Sequence, residues 1–289
     1  MKTDHWLLLL LAALWGGSFL FMRVAVPSLG PLPLIELRLA LAALVLLPVL
    51  CWQGGLAQWR AHWWQITVSG VFLSALPFCL IAWATLTLPA GVASVLNATT
   101  PLMTALWAIP LAGEKLTLPR GGGLLLGLAG VTVLMLGRGA GFDAGALLPV
   151  LAMLAATACY GWSGHMTRRW LHGVPPLVIT TGMLVSGSLL LLPLAWWQWP
   201  HGAIAANVWG AVLALALAST AFAYLIFYRL IARLGATRAS GVTYLVPVFG
   251  VLWGALLLGE AINAGMLLGA ALILAGVVLL GWQPGMLRR

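Results

Sequence analysis

The chain has 289 residues, of which 63% are hydrophobic and only 7% charged, and its formal net charge is +9. A soluble domain carries about a quarter charged residues, and a mean hydropathy of +1.07 does not suit a water-facing surface. Composition therefore excludes a soluble enzyme, a disordered chain and a disulfide-stapled secreted domain.

What remains is an all-α polytopic membrane protein. Apolar runs lie at 5–26, 31–52, 63–86, 89–111, 119–137, 146–170, 175–199, 205–231, 236–258 and 264–282. A spanning helix takes about 20 apolar residues, so these runs predict ten transmembrane helices. Pro31, Pro33, Gly54-Gly55, Pro89, Pro119, Pro175-Pro176, Pro200 and Gly235 separate them. Barrel strands would alternate polar and apolar residues, and these runs do not. The first run lacks a small-residue cleavage site and counts as a span. Cys51, Cys79 and Cys159 lie in apolar segments without a CxxC pair and read as small core residues.

Basic residues set the orientation. With the N-terminus inside, the cytoplasmic side carries Lys2, Arg60, Lys115, Arg120, Arg168, Arg169, Arg229, Arg233, Arg238, Arg288 and Arg289, against Arg23 and Arg138 outside. Eleven against two places both termini in the cytoplasm. The net charge then reflects topology, not nucleic-acid binding.

The sequence repeats itself. Residues 89–135 laid over 235–281, a shift of 146, agree at 16 of 47 positions, pairing Ser94 with Ser240, Pro101 with Pro247, Trp107 with Trp253 and Gly113-Glu114 with Gly259-Glu260. A shift of 145 sets Trp15-Gly16-x-Ser18 over Tyr160-Gly161-x-Ser163 and Arg23 over Arg168. Each half, 1–138 and 139–289, holds five spans. Five is odd, so the second half enters the membrane from the opposite side. Inverted repeats of this kind build secondary transporters with a site near the midplane.

Several residues are candidates for lining that site. Ser94, Asn97, Pro101 and Thr104 share one face of span four, and Ser240, Thr243, Pro247 and Gly250 repeat it in span nine. Such polar faces line a cavity or tie helices together. Mid-span aromatics include Trp15, Phe19, Phe78, Trp83, Tyr160, Tyr224, Tyr228 and Tyr244, which either pack or form a wall for flat or cationic substrates. Ser18 and Ser163 accompany them in the repeated motif. Glu36 and Arg38 are the charges well inside a span. Arg38 either meets backbone carbonyls or binds a substrate carboxylate, and Glu36 sits within reach of outer water. His165 is a packing histidine or a proton shuttle. Glu114 and Glu260 cap the helices that follow them or act at a gate. Gly123-x-x-x-Gly127 and Gly265-x-x-x-Gly269 predict close packing of spans five and ten within the protein or in a dimer.

No ATP-binding loop, metal-ligand cluster or catalytic triad is present in the sequence, and no cofactor is expected. A membrane-embedded or lipid-processing enzyme is the rival class. A channel would show charge rings or filter loops.

Trp15-Gly16-x-x-Phe19, Arg38 and a Gly-Glu after spans four and nine, set in two five-span repeats, resemble the drug/metabolite transporter superfamily, its EamA-type exporters above all. The resemblance covers nearly the whole chain. It implies a multi-pass protein of the bacterial inner membrane, monomeric or homodimeric, that exports small metabolites: amino acids, aromatic ones included, and organic-cation drugs. Small multidrug-resistance relatives carry a first-span glutamate for proton coupling. No acidic residue follows Asp4 in the first span here, so that coupling does not carry over.

Overall fold

A computed structural model describes residues 2–137 and 144–281. The division at 138/139, Arg138, Arg288 and Arg289 lie outside the described residues. Helix dominates: α1 (Lys2–Leu29), α2 (Pro31–Trp52), α3 (Trp63–Ala84), α4 (Ala90–Ala112), α5 (Leu118–Leu136), α6 (Ala144–Trp170), α7 (Pro176–Trp197) and α8 (Ala206–Leu234). Ala236–Ser240, the 3₁₀ turn Gly241–Tyr244 and Val246–Leu258 together form α9, and Ala264–Gly281 forms α10. Among the described residues, nine helices are long and apolar enough to cross a membrane, and α10 is a shorter apolar helix. The outer faces stay apolar, with Leu44 66% and Leu125 69% exposed. So much exposed leucine suits acyl chains rather than water.

Packing follows the repeat. α5 lies on α10, and α2 on α7, each helix against its counterpart. The first helix of each half crosses to the other: α1 packs on α9, and α6 packs on α4. Trp107 Nε1 donates to Ala158 O at 3.0 Å, and its counterpart Trp253 Nε1 donates to Ala13 O at 3.1 Å. Both bonds satisfy a half-buried indole N–H, which needs a partner away from water. Glycine permits these crossings. A Cβ on Gly16 would stand 2.8 Å from Gly250 N, and one on Gly161 would stand 2.8 Å from Thr104 N.

α5 and α10 meet through three glycine pairs. A Cβ on Gly123 would lie 2.6 Å from Gly276 O and one on Gly130 would lie 2.8 Å from Gly269 O, while Gly137 faces Gly265. The glycines of both predicted GxxxG ridges thus pack against protein. On α5 the paired glycines recur about every two turns; a Cβ on Gly127 would point at Leu102 of α4, while the Gly127 backbone N lies 2.9 Å from the position of a Cβ on Gly276.

Prolines break α4 and α9 at matched places. Pro101 brings no N–H for the carbonyl of Asn97 four residues back, and Thr100 Oγ1 takes that carbonyl at 2.7 Å. The helix relaxes into a turn at Ala98–Thr99. In α9, Pro247 stands four residues after Thr243, and the chain there is a 3₁₀ turn. α3 and α8 carry matched π-helical turns, Val71–Ala75 and Ala214–Phe222. Both α4 and α9 end on a left-handed glycine, Gly113 (φ 67°) and Gly259 (φ 65°). Beyond them Glu114 N donates to Ala108 O and Glu260 N to Gly254 O, which closes each C-terminus by the same motif.

Candidate functional site

The broken stretches of α4 and α9 and the π-turns of α3 and α8 face one another across the seam between the repeats. They enclose a cavity of about 370 Å³, near the lower end of the range for small-molecule sites. Eleven predicted site residues line it: Trp15, Ser18, Phe19, Arg38, Phe78, Asn97, Pro101, Tyr160, Tyr224, Thr243 and Tyr244. Seven of the nineteen lining residues are aromatic. Trp15 contacts Tyr224 edge-on at 6.4 Å and Phe227 at 5.2 Å, and Phe78 meets Tyr160 edge-on at 6.3 Å.

Arg38 is the one charged side chain in this wall, and it is buried. Its Nε donates to Thr220 Oγ1 at 2.9 Å, and Thr220 Oγ1 in turn donates to Leu215 O at 2.8 Å, across the π-turn. The guanidinium carbon sits 3.7 Å from the centroid of the Phe78 ring, a cation–π distance. No carboxylate pairs with it among the described residues. Glu36 turns away and accepts from Ser188 Oγ of α7 at 2.9 Å. The expectation that Glu36 meets outer water is corrected, for it is buried. Three further polar atoms of the wall, Ser18 Oγ, Asn97 Oδ1 and Ser219 Oγ, are buried and have no hydrogen-bond partner among the described residues.

Six predicted residues lie away from the cavity. Trp83 is 42% exposed on the apolar exterior. Ser94 is buried between helices, donating to Gly91 O at 2.7 Å and reaching Pro247 O at 3.5 Å, so Pro247 is engaged there too. Ser163 donates to Ser69 O at 2.9 Å. Tyr228 stacks behind Tyr224 at 6.1 Å. His165 Nε2 lies 3.0 Å from Thr104 O and borders a separate pocket with Glu114, Arg168 and Arg169. Sequence reasoning missed Met22, Leu73, Ile81, Ala98, Thr100, Ser219, Phe227 and Val246. The repeat held a signal for several of them. Leu73 with Ser219 and Ile81 with Phe227 are partners at the same 146 shift that pairs Phe78 with Tyr224.

The two ends of the cavity differ. Toward the end that bears Glu260, the lining residues Met22 and Ile81 are 1% and 2% exposed, whereas Tyr244, toward the Glu114 end, is 44% exposed. Glu260 clasps the start of α4, accepting from Ala90 N at 2.6 Å and Gly91 N at 2.9 Å. It does not cap the helix that follows it, as its position in sequence suggested. Asn263 Oδ1 does that, accepting from Met266 N. At the same end Arg23 donates to Thr85 O and Leu86 O, in the turn just past α3, at 2.6 and 2.7 Å. The counterparts of both ties are undone at the other end. Glu114 pairs with Arg120 at 2.6 Å, and Arg168 is exposed, without a hydrogen bond or ion pair among the described residues.

Comparison with known proteins places this architecture. The pattern of the EamA-like transporter family matches residues 4–136 and 147–282. A probable terminal-alkyne amino-acid exporter of Streptantibioticus cattleyicolor is 27% identical over 95% of this chain and 92% of its own. A probable amino-acid metabolite efflux pump of Salmonella typhimurium is 27% identical over 96% and 94%. An S-adenosylmethionine/S-adenosylhomocysteine transporter of Chlamydia trachomatis is 27% identical over 93% and 86%. A solved crystal structure shares the fold, with a TM-score of 0.66 at 22% identity over 96% of both chains. The chain is a multi-span membrane protein that belongs to the EamA-like transporter family, a transporter and not an enzyme.

Proposed function

We propose that the protein exports small metabolites, amino acids first among them, across the bacterial cytoplasmic membrane by alternating access. Its two inverted five-helix halves, divided near 138/139, would rock about the seam cavity. One observation carries this reading: the cavity lies where repeat-equivalent segments meet, shut at the Glu260 end and exposed at the Glu114 end. A sequence-level two-fold with unequal ends is what one state of such a cycle requires. The bias of basic residues supports a cytoplasmic Glu114 end, and on that orientation this state would face inward. The aromatic, nearly neutral wall suits a flat or zwitterionic body, and the names of two relatives point to amino acids. The test is counterflow in proteoliposomes without ATP, using labelled aromatic and small neutral amino acids. Accumulation against unlabelled internal amino acid is expected. Absence of flux for every amino acid would overturn the cargo, and hydrolytic activity in its place would overturn the reading altogether.

A further inference from the structure

We propose that Arg38 is a carboxylate anchor, so that the cavity selects cargo bearing a free carboxylate and rejects organic cations. This rests on the transport reading above and narrows it. The guanidinium is buried, borders the cavity, and spends its Nε on a neutral hydroxyl. No acid of the described chain neutralises it. A buried cation left unpaired is unfavourable unless a ligand completes it, and a guanidinium is shaped to take two carboxylate oxygens. Phe78 beneath and Thr220 beside it fix its plane. The unpartnered Asn97 Oδ1 is an acceptor, suited to an ammonium or amide N–H on the same cargo. A cargo carrying only positive charge would meet Arg38 without an intervening anion in a low-dielectric space.

The test does not need the cargo to be known. In a Cys-free background, Ala98→Cys places a thiol on the cavity wall. An anionic methanethiosulfonate sulfonate and its trimethylammonium analogue are compared, each normalised to a free thiol. The sulfonate should label at least tenfold faster, and Arg38→Gln should abolish that preference while Arg38→Lys keeps part of it. Size-exclusion profiles verify that the variants fold. Equal labelling by both reagents would overturn the anchor, whatever the flux assays give. In counterflow of labelled phenylalanine, 3-phenylpropionate should compete and phenylalaninamide should compete at least tenfold less well. Equal competition by the amide would also overturn it. Absent flux alone would count against the transport reading and leave the labelling result decisive.

A different observation carries a second inference: Glu114 and Glu260 form a reciprocal latch. Glu260 holds the first N–H groups of α4, a favourable place for a carboxylate. At the 146 shift Glu114 corresponds to Glu260, and Ala236 and Thr237 of α9 correspond to Ala90 and Gly91. In the present state Arg120 occupies Glu114 instead. When the molecule turns over, Glu114 would take the start of α9 and Glu260 would release α4. Single cysteines at Thr243 and Met22 report the two ends through a membrane-impermeant thiol reagent applied to inside-out and right-side-out vesicles. Glu260→Gln should raise labelling of Met22→Cys and lower that of Thr243→Cys. Glu114→Gln should do the reverse, and Arg120→Gln, which frees Glu114, should act like Glu260→Gln. Changes of the same sign for Glu114→Gln and Glu260→Gln, or no change in either, would overturn the latch.

Discussion

At the scale of single residues, the tightest constraint is the glycine at each helix crossing. Gly16→Ala and Gly161→Ala each push a methyl onto the backbone of α9 or α4, an overpacking that costs about 1–3 kcal/mol. A Cβ on Gly121 of α5 would meet nothing within 4 Å, so Gly121→Ala should be neutral or gain about 0.5–1 kcal/mol through helix propensity. Thermal unfolding in detergent should therefore rank Gly121→Ala at or above the parent and both crossing variants below it. The same scale shows what the sequence made legible. Asn97 and Thr243 stand just before matched prolines, and Phe78 and Tyr224 share the repeat, so all four could be found. Trp83 misled because α3 is apolar nearly all round, and no periodicity says which side meets lipid. Ser94 and Ser163 are polar for a different reason, satisfying backbone carbonyls inside the packing.

Among the elements, α5 and α10 depend most on a single surface. Their backbones approach through Gly123–Gly276, Gly130–Gly269 and Gly137–Gly265. With no hydrophobic drive between helices in lipid, such close van der Waals contact is the main source of their association. Gly276→Leu should cost at least as much as a core overpacking, about 1–3 kcal/mol, and lower the monodisperse yield on size exclusion. Gly122→Leu, whose Cβ would meet only the side-chain tip of Leu279, should be tolerated. Close packing of these two helices was legible from the density of glycine, but their packing on each other, and its register, were not. A four-residue motif search sees Gly123 and Gly127, yet only the partner's backbone decides which glycines face it.

For the whole molecule, the repeat was the most informative feature, since its best-matched segments, the proline breaks of α4 and α9, both line the cavity. The crossing of α1 onto α9 and of α6 onto α4 was not legible, because it depends on three-dimensional complementarity at Gly16 and Gly161. Orientation is open to direct measurement. An alkaline phosphatase fusion after residue 289 should be inactive and one within 138–145 active, following the basic residues. The opposite pattern would reverse the sidedness assigned to both ends of the cavity.

Arg38 has no charged counterpart in the second half, where a shift of 145 lands on Met183. In the proposed alternating-access cycle, one fixed cation and no acid in the cavity wall would leave the carrier's own charge unchanged, and the voltage dependence of transport would be set by the cargo. A zwitterion should cross electroneutrally, indifferent to a potassium-diffusion potential. A monocarboxylate leaving a cell that is negative inside should be driven outward by about 2.3 kcal/mol per 100 mV. Efflux of phenylalanine and 3-phenylpropionate from the same vesicles, with and without valinomycin, should separate the two. A phenylalanine flux that follows the potential would mean that an ion travels with it.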